Sequence, residues 1–168
     1  MKELRVTRIA FSKENSLRWL WLSVCVLALD QITKQLAVNY LQLDDSIHLL
    51  TFFSLTLEHN AGAAFSFLSH AGNFATWLFV GTASVISIIL SISLYHSPKN
   101  NILLNISLAL LLGGAVGNLL DRLVYGYVID FMHFHAFHHS FPVFNVADMA
   151  ITFGALMLLR DFFKRPAS

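Results

Sequence analysis

The sequence predicts an all-α membrane protein: a four-transmembrane-helix bundle with long outer loops and a small extracytoplasmic β element. Three observations carry this. Hydrophobic residues make up 56% of the 168-residue chain and charged residues only 12%, with a mean hydropathy of +0.62, whereas soluble domains carry about 25% charged residues. Four segments reach or approach the ~20 apolar residues a helix needs to cross a bilayer. Nine of the eleven Lys and Arg residues fall on one side of the resulting four-span arrangement. The length suits a single domain, residues 1–168. A net charge of +1 argues against a nucleic-acid partner.

Span one covers residues 17–37, cleanly apolar from Leu20 to Leu29 and continuing through Asp30 and Gln31. Its basic lead-in fits a secretory signal, but the helix runs on into the polar-edged "LDQITKQLA", which favours a retained anchor. Cys25 is the lone cysteine, so no internal disulfide is available, and it reads as a small packed hydrophobe. Residues 38–73 form a long loop. Within it "SIHLLTFFSLTLEHN" is rich in β-branched and aromatic residues and partly alternates, which predicts the small β element. Phe52, Phe53, Phe65 and Phe67 suit seating that loop on lipid headgroups. Span two, 74–95, contains no charge, and a tight connection at 96–101 carries Pro98. Span three, 102–120, contains Gly113 and Gly117 as G-x-x-x-G, the pattern of a close helix contact. A second long loop, 121–146, leads to span four at 147–163; Gly62 and Gly126 suit turns.

Charge orients the bundle. Lys2, Arg5, Arg8, Lys13 and Arg18 precede span one, Lys99 lies in the short connection, and Arg160, Lys164 and Arg165 close the chain. By the positive-inside rule both termini are cytoplasmic and both long loops external. Every acid except Glu3, Glu14 and Asp161 then gathers at the outer face, and none sits at mid-span. A transporter or proton channel needs polar groups through the depth of the bundle. This layout suits a site built at one interface.

The polar residues there cluster in short strings. "EHNAGAAFSF" supplies Asn60, and "GGAVGNLLDRL" brings Asn118, Asp121 and Arg122 onto one helical face. "YVIDFMHF" supplies Asp130, and "PVFNVADMA" supplies Asn145 and Asp148, three apart. Spacing suggests structural ion pairs for Asp30 with Lys34 and for Asp121 with Arg122. Asp130 and Asp148 have no basic neighbour in sequence and lie among apolar residues. Two readings of them stay open. Brought together in a low-dielectric setting, two carboxylates share a proton and suit acid–base hydrolysis. Apart, they are isolated capping or packing groups, Asp148 satisfying N–H groups at a helix start.

The strings "LDQITK", "NAGAAF", "GNLLDR", "VIDF" and "FNVAD", in this order on four spans, resemble the conserved blocks of lipoprotein signal peptidase, the bacterial type II signal peptidase. The resemblance covers the chain from span one onward. It implies an inner-membrane aspartic endopeptidase that removes signal peptides from diacylglyceryl-modified prolipoproteins, cutting just before the lipid-modified cysteine. It further implies Asp130 and Asp148 as the catalytic pair, with Asp30, Asn60, Asn118, Asp121, Arg122 and Asn145 binding substrate or supporting the pair. Lipidated prolipoproteins and membrane lipids are the expected partners, no cofactor or metal is expected, and the chain is expected to act as a monomer.

"HFHAFHH" offers His133, His135, His138 and His139. Histidine tracts bind zinc in some proteins, but neither H-E-x-x-H nor a nearby cysteine accompanies these, so the reading is a wet amphipathic loop. A non-enzymatic assembly factor would share the topology and would tolerate neutral replacement of both aspartates.

Overall fold

The structure is a computed structural model that describes residues 16–62, 73–136 and 139–164. Phe65, Phe67, His138 and the basic residues Lys2, Arg5, Arg8, Lys13 and Arg165 lie outside the described residues. A 3-10 turn at Ser16–Trp19 leads into α1, Leu20–Tyr40. The hairpin strands β1 (Ser46–Leu50) and β2 (Phe53–Asn60) follow. Next come α2 (Asn73–His96), α3 (Ile102–Tyr125), β3 (Val128–Ala136), the two-residue β4 (His139–Ser140) and α4 (Val146–Lys164).

Among the described residues, three helical stretches are long and apolar enough to cross a membrane: Ser16–Tyr40, Phe74–His96 and Ile102–Tyr125. Helix α4 packs on α3 and α1, yet it does not join that set on length and composition. It has 19 residues, and Asp148, Arg160, Asp161 and Lys164 load charge onto both its ends. The two outer faces of α2 stay open: Trp77, Val85, Ile88, Ile89 and Ile92 are all exposed, which suits a helix bathed in lipid rather than water. Cys25 is exposed on α1, not packed as its apolar surroundings suggest. In a bilayer-spanning helix, apolar neighbours mark contact with lipid as readily as contact with protein.

Small residues bring the helices together. A Cβ placed on Gly117 would come within 2.7 Å of Asp30 Oδ2, so any larger residue there would displace that carboxylate. Gly113 faces Val26 and the Ser23 carbonyl of α1 in the same way, the close contact expected of G-x-x-x-G. Helix α3 runs past the end expected from hydropathy and stops where Gly126 turns left-handed (φ 84°), its N–H bonded to the Arg122 carbonyl at 3.1 Å. The extra turn matters, because it carries Asp121 and Arg122 on a rigid helix.

The sheet has antiparallel order β1-β2-β3-β4. The β1/β2 hairpin forms where alternation predicts it. Strand β3 was not expected: it lies in what hydropathy reads as loop. The β2–β3 register shifts by one residue between Leu55 and Glu58, so that Glu58 stands opposite Asp130 and Asn60 opposite Val128. Alternation along β3 then puts Asp130 on the face shared with Met132 and Phe134. The opposite face carries Ile129 and Phe131, which pack with Leu57 and with Ala37 and Leu41 at the end of α1. His133 and His135 continue that second face and bond to Thr56 Oγ1 (3.3 Å) and Ser54 Oγ (2.6 Å).

Candidate active site

The start of α4 builds the first half of the site. Asn145 precedes the helix, and its Oδ1 accepts the Asp148 N–H at 2.9 Å. In return Asp148 Oδ2 accepts the Asn145 N–H at 3.2 Å. This is a reciprocal capping box, which satisfies two backbone donors that would otherwise have no partner. The capping reading of Asp148 is therefore correct, and it is incomplete. The other oxygen, Oδ1, points to α3 and accepts from Asn118 Nδ2 at 2.7 Å.

Strand β3 supplies the second half. Asp130 is 1% exposed. Its Oδ1 accepts from Asn145 Nδ2 at 2.6 Å and its Oδ2 from Asn60 Nδ2 at 2.9 Å. Asn60 is fixed in turn, since its Oδ1 accepts the Gly62 N–H at 2.8 Å, an Asx turn that Gly62 completes with φ 99°. Asn145 thus contacts both carboxylates, one through its side chain and one through its backbone. Burial pushes the Asp130 carboxyl up to about 7 from an ordinary 3.8, and the nearby Asp148 charge adds to the rise. The Asn60 and Asn145 amides and the Lys34 charge pull the other way and do not offset it.

Beneath these two lies a buried polar layer between α1 and α3. Lys34, fully buried, pairs with Asp30 Oδ2 and Asp121 Oδ2, each at 2.8 Å, and donates to Asn118 Oδ1 at 3.0 Å. Asp30 Oδ1 accepts the Ala147 N–H at 2.8 Å, and Asp121 Oδ2 accepts the Ile129 N–H at 3.1 Å. Gln31 Nε2 donates to Asp121 Oδ1 at 2.9 Å. The Asp30–Lys34 pair expected from spacing is present; Asp121, by contrast, pairs with Lys34 of another helix. The Arg122 guanidinium donates to the Asn118 carbonyl at 3.2 Å and lies over the Phe79 ring at 5.2 Å. Arg122 also lines a cleft of about 330 Å³ between α2 and the end of α3, with Thr76, Val80 and Tyr125.

All eight residues singled out in the sequence therefore converge on one network: Asp30, Asn60, Asn118, Asp121, Arg122, Asp130, Asn145 and Asp148. Sequence reasoning named Lys34 only as the ion-pair partner of Asp30 and missed Gln31; both stand in "LDQITK". The acids Asp44, Asp45 and Glu58 are exposed and take no part. Among the described residues, no group of three or more His, Cys, Asp or Glu side chains is arranged to take a metal ion. Chemically, the arrangement offers a buried acid of raised proton affinity, Asp130, close to a second carboxylate, Asp148, with neutral amides that orient both.

Comparison with known proteins finds relatives over most of the chain. The family model described as signal peptidase (SPase) II matches residues 22–164. A lipoprotein signal peptidase of Acinetobacter baylyi is 48% identical over 149 residues, covering 89% of this chain and 83% of that protein. A lipoprotein signal peptidase of Photorhabdus laumondii is 47% identical over 152 residues, covering 90% of this chain and 91% of that one. Two solved structures, each described as a bacterial membrane enzyme, are 29% identical, with TM-scores of 0.79 and 0.75. They cover 89% and 90% of this chain and 94% and 93% of their own.

Proposed function

This chain belongs to the signal peptidase II family, and from that membership we infer that it removes the signal peptide from diacylglyceryl-modified prolipoproteins, cutting just before the lipid-modified cysteine. It is a peptidase of the aspartic type. Asp130 and Asp148 are the catalytic pair in this reading. The observation that carries it is the double grip of Asn145, whose Nδ2 donates to Asp130 and whose N–H donates to Asp148.

The chemistry follows from the raised proton affinity of Asp130 and from the hydrogen bonds that aim Asp148. Asp130, with its carboxyl pushed up to about 7, starts protonated. Asp148, accepting two hydrogen bonds at the positive end of α4, serves as the base. Water bound between them gives a proton to Asp148 as its oxygen attacks the scissile carbonyl carbon. The Asp130 proton passes to the carbonyl oxygen, giving a neutral tetrahedral diol. Asp148 then protonates the leaving nitrogen, the C–N bond breaks, and a diol hydroxyl returns its proton to Asp130. Asn60, Asn118 and Asn145 orient the acids without adding charge. Arg122, over Phe79 and beside the cleft, is the cation this reading assigns to the substrate's polar groups.

Helix α4 completes a four-span bundle in the inner membrane of a bacterium. Both termini are cytoplasmic, and the site and the sheet lie at the outer interface, where a lipidated substrate presents its cleavage point. The enzyme works as a monomer on membrane-embedded substrate.

A processing assay on a lipidated prolipoprotein tests the assignment. Asp130→Asn and Asp148→Asn each abolish cleavage while folded protein remains in the membrane. Full activity of Asp148→Asn would refute it.

A further inference from the structure

Lys34 is a fully buried charged side chain, and the acid–base steps do not use it. Its ammonium has three protons and three partners: Asp30 Oδ2, Asp121 Oδ2 and Asn118 Oδ1. Stability alone is a poor reason for such a group. A buried ion cluster offsets its desolvation cost only barely, and apolar residues of the same volume do as well or better.

The far ends of its three partners supply a better reason. Asp30 uses Oδ1 to hold the N–H of Ala147, the residue immediately before Asp148. Asp121 uses Oδ2 to hold the N–H of Ile129, the residue immediately before Asp130. Asn118 receives Lys34 Nζ and Asn145 Nδ2 (3.2 Å) on its Oδ1, and this fixes the amide so that Nδ2 faces Asp148 Oδ1. Three arms leave one ammonium, and each ends on, or one peptide away from, a member of the acid pair. The arms join α1 to α3, to the start of α4 and to β3, none of which follows α1 directly in the chain.

We propose that Lys34 is the positioning residue of the acid pair: its buried ammonium sets the separation and aim of Asp130 and Asp148 through Asp30, Asp121 and Asn118. The proposal rests on the reading of those two aspartates as the reacting groups. It extends the supporting network to a residue that touches neither substrate nor reacting atoms.

Steady-state kinetics of Lys34→Met, purified in detergent and assayed on a lipidated prolipoprotein, test this. A misplacement of about 1 Å costs on the order of a hundredfold in rate. The variant is therefore expected to lose about a hundredfold in kcat with KM within about threefold. The Lys34 charge favours ionised Asp130, so its loss also moves the limb of the pH–rate profile set by Asp130 to higher pH. A residue serving only the bundle would lower the amount of folded protein and leave kcat and the pH profile of the folded fraction unchanged; that result, or a loss confined to KM, overturns the proposal. If Lys34→Met does not fold because Asp30 and Asp121 are left unpaired, the triple variant Lys34→Met, Asp30→Asn, Asp121→Asn takes its place. Its Asn carbonyls still accept the Ala147 and Ile129 N–H groups, and no charge is stranded. A folded triple variant with reduced kcat supports the proposal. One with wild-type kcat, or one that also fails to fold, overturns it. Asp130→Asn and Asp148→Asn run in parallel separate the two levels: activity in those variants would sink the site assignment itself, independently of Lys34.

Discussion

Asn145 and Asp130 are joined by a 2.6 Å hydrogen bond, with neither residue more than 1% exposed. The same asparagine caps α4 through its Oδ1, so one side chain starts a helix and orients a buried acid on a strand. The two duties are separable. Asn145→Ser keeps a cap for the Asp148 N–H and loses the donor to Asp130. Thermal unfolding should stay near wild type, while cleavage falls at least tenfold. Asn145→Ala should lose both, with about 1 kcal/mol of stability gone as well. Unfolding curves and single-time-point cleavage of the two variants check this directly.

The raised proton affinity of Asp130 predicts a pH dependence. Activity requires its proton in the resting state, so cleavage should decline as pH rises through about 7. Asn60 donates to the charged form of Asp130, and Asn60→Ala should move that limb to higher pH. The stability effect has the same origin. Because the folded value lies above the ordinary 3.8, the contribution of this group is complete below about pH 4. It is lost as pH rises to about 7. The neutral, isosteric Asp130→Asn should therefore be more heat-stable than wild type at pH 8, by on the order of a few kcal/mol, with the gap closing toward pH 4. Melting temperatures measured across that range decide it.

Gly117 and Gly81 make a matched pair of tests. Gly117→Ala drives a methyl into Asp30 Oδ2, the oxygen that Lys34 holds. Overpacking of this kind costs about 1–3 kcal/mol, and the displaced carboxylate should also slow cleavage. Gly81→Ala meets nothing within 4 Å and should leave melting and cleavage unchanged. Equal effects from the two would show that helix propensity, rather than the Asp30 contact, governs these sites.

The reading of α4 as a fourth span has its own test. Reporters inserted in the tight connection at residues 97–101 and fused after Lys164 should report the same side of the membrane. A reporter at Asp44–Asp45, in the turn before β1, should report the other. A C-terminal reporter on the side of Asp44 would leave only three crossings.

Much of this architecture is legible in the sequence, for identifiable reasons. Long apolar stretches mark helices because lipid cannot satisfy backbone polar groups, and α1, α2 and α3 all lie where hydropathy places them. Hydropathy marks depth, however, and not helix ends. It stops span three at Leu120, whereas the helix continues to Tyr125 until Gly126 turns the chain. Strand β3 escaped notice because its pairing with β2 joins residues about 70 positions apart, as in Glu58 with Asp130, and its own pattern does not alternate cleanly. Asp130 and Asp148 stood out as acids among apolar neighbours. Lys34 did not, because its visible partner, Asp30, explained it locally. Its other contacts, Asn118 and Asp121, lie on α3, a distance no spacing rule reaches.

The offset between Leu55 and Glu58 has a consequence for how far this scaffold tolerates change in length. Strand β2 carries one residue more than its partner across that interval. Removing it would restore uniform pairing and, at the same stroke, rotate everything beyond it by half a pleat. Asn60 would then hang on the wrong side of the ribbon, away from Asp130. A tidier ribbon would thus be a disabled enzyme.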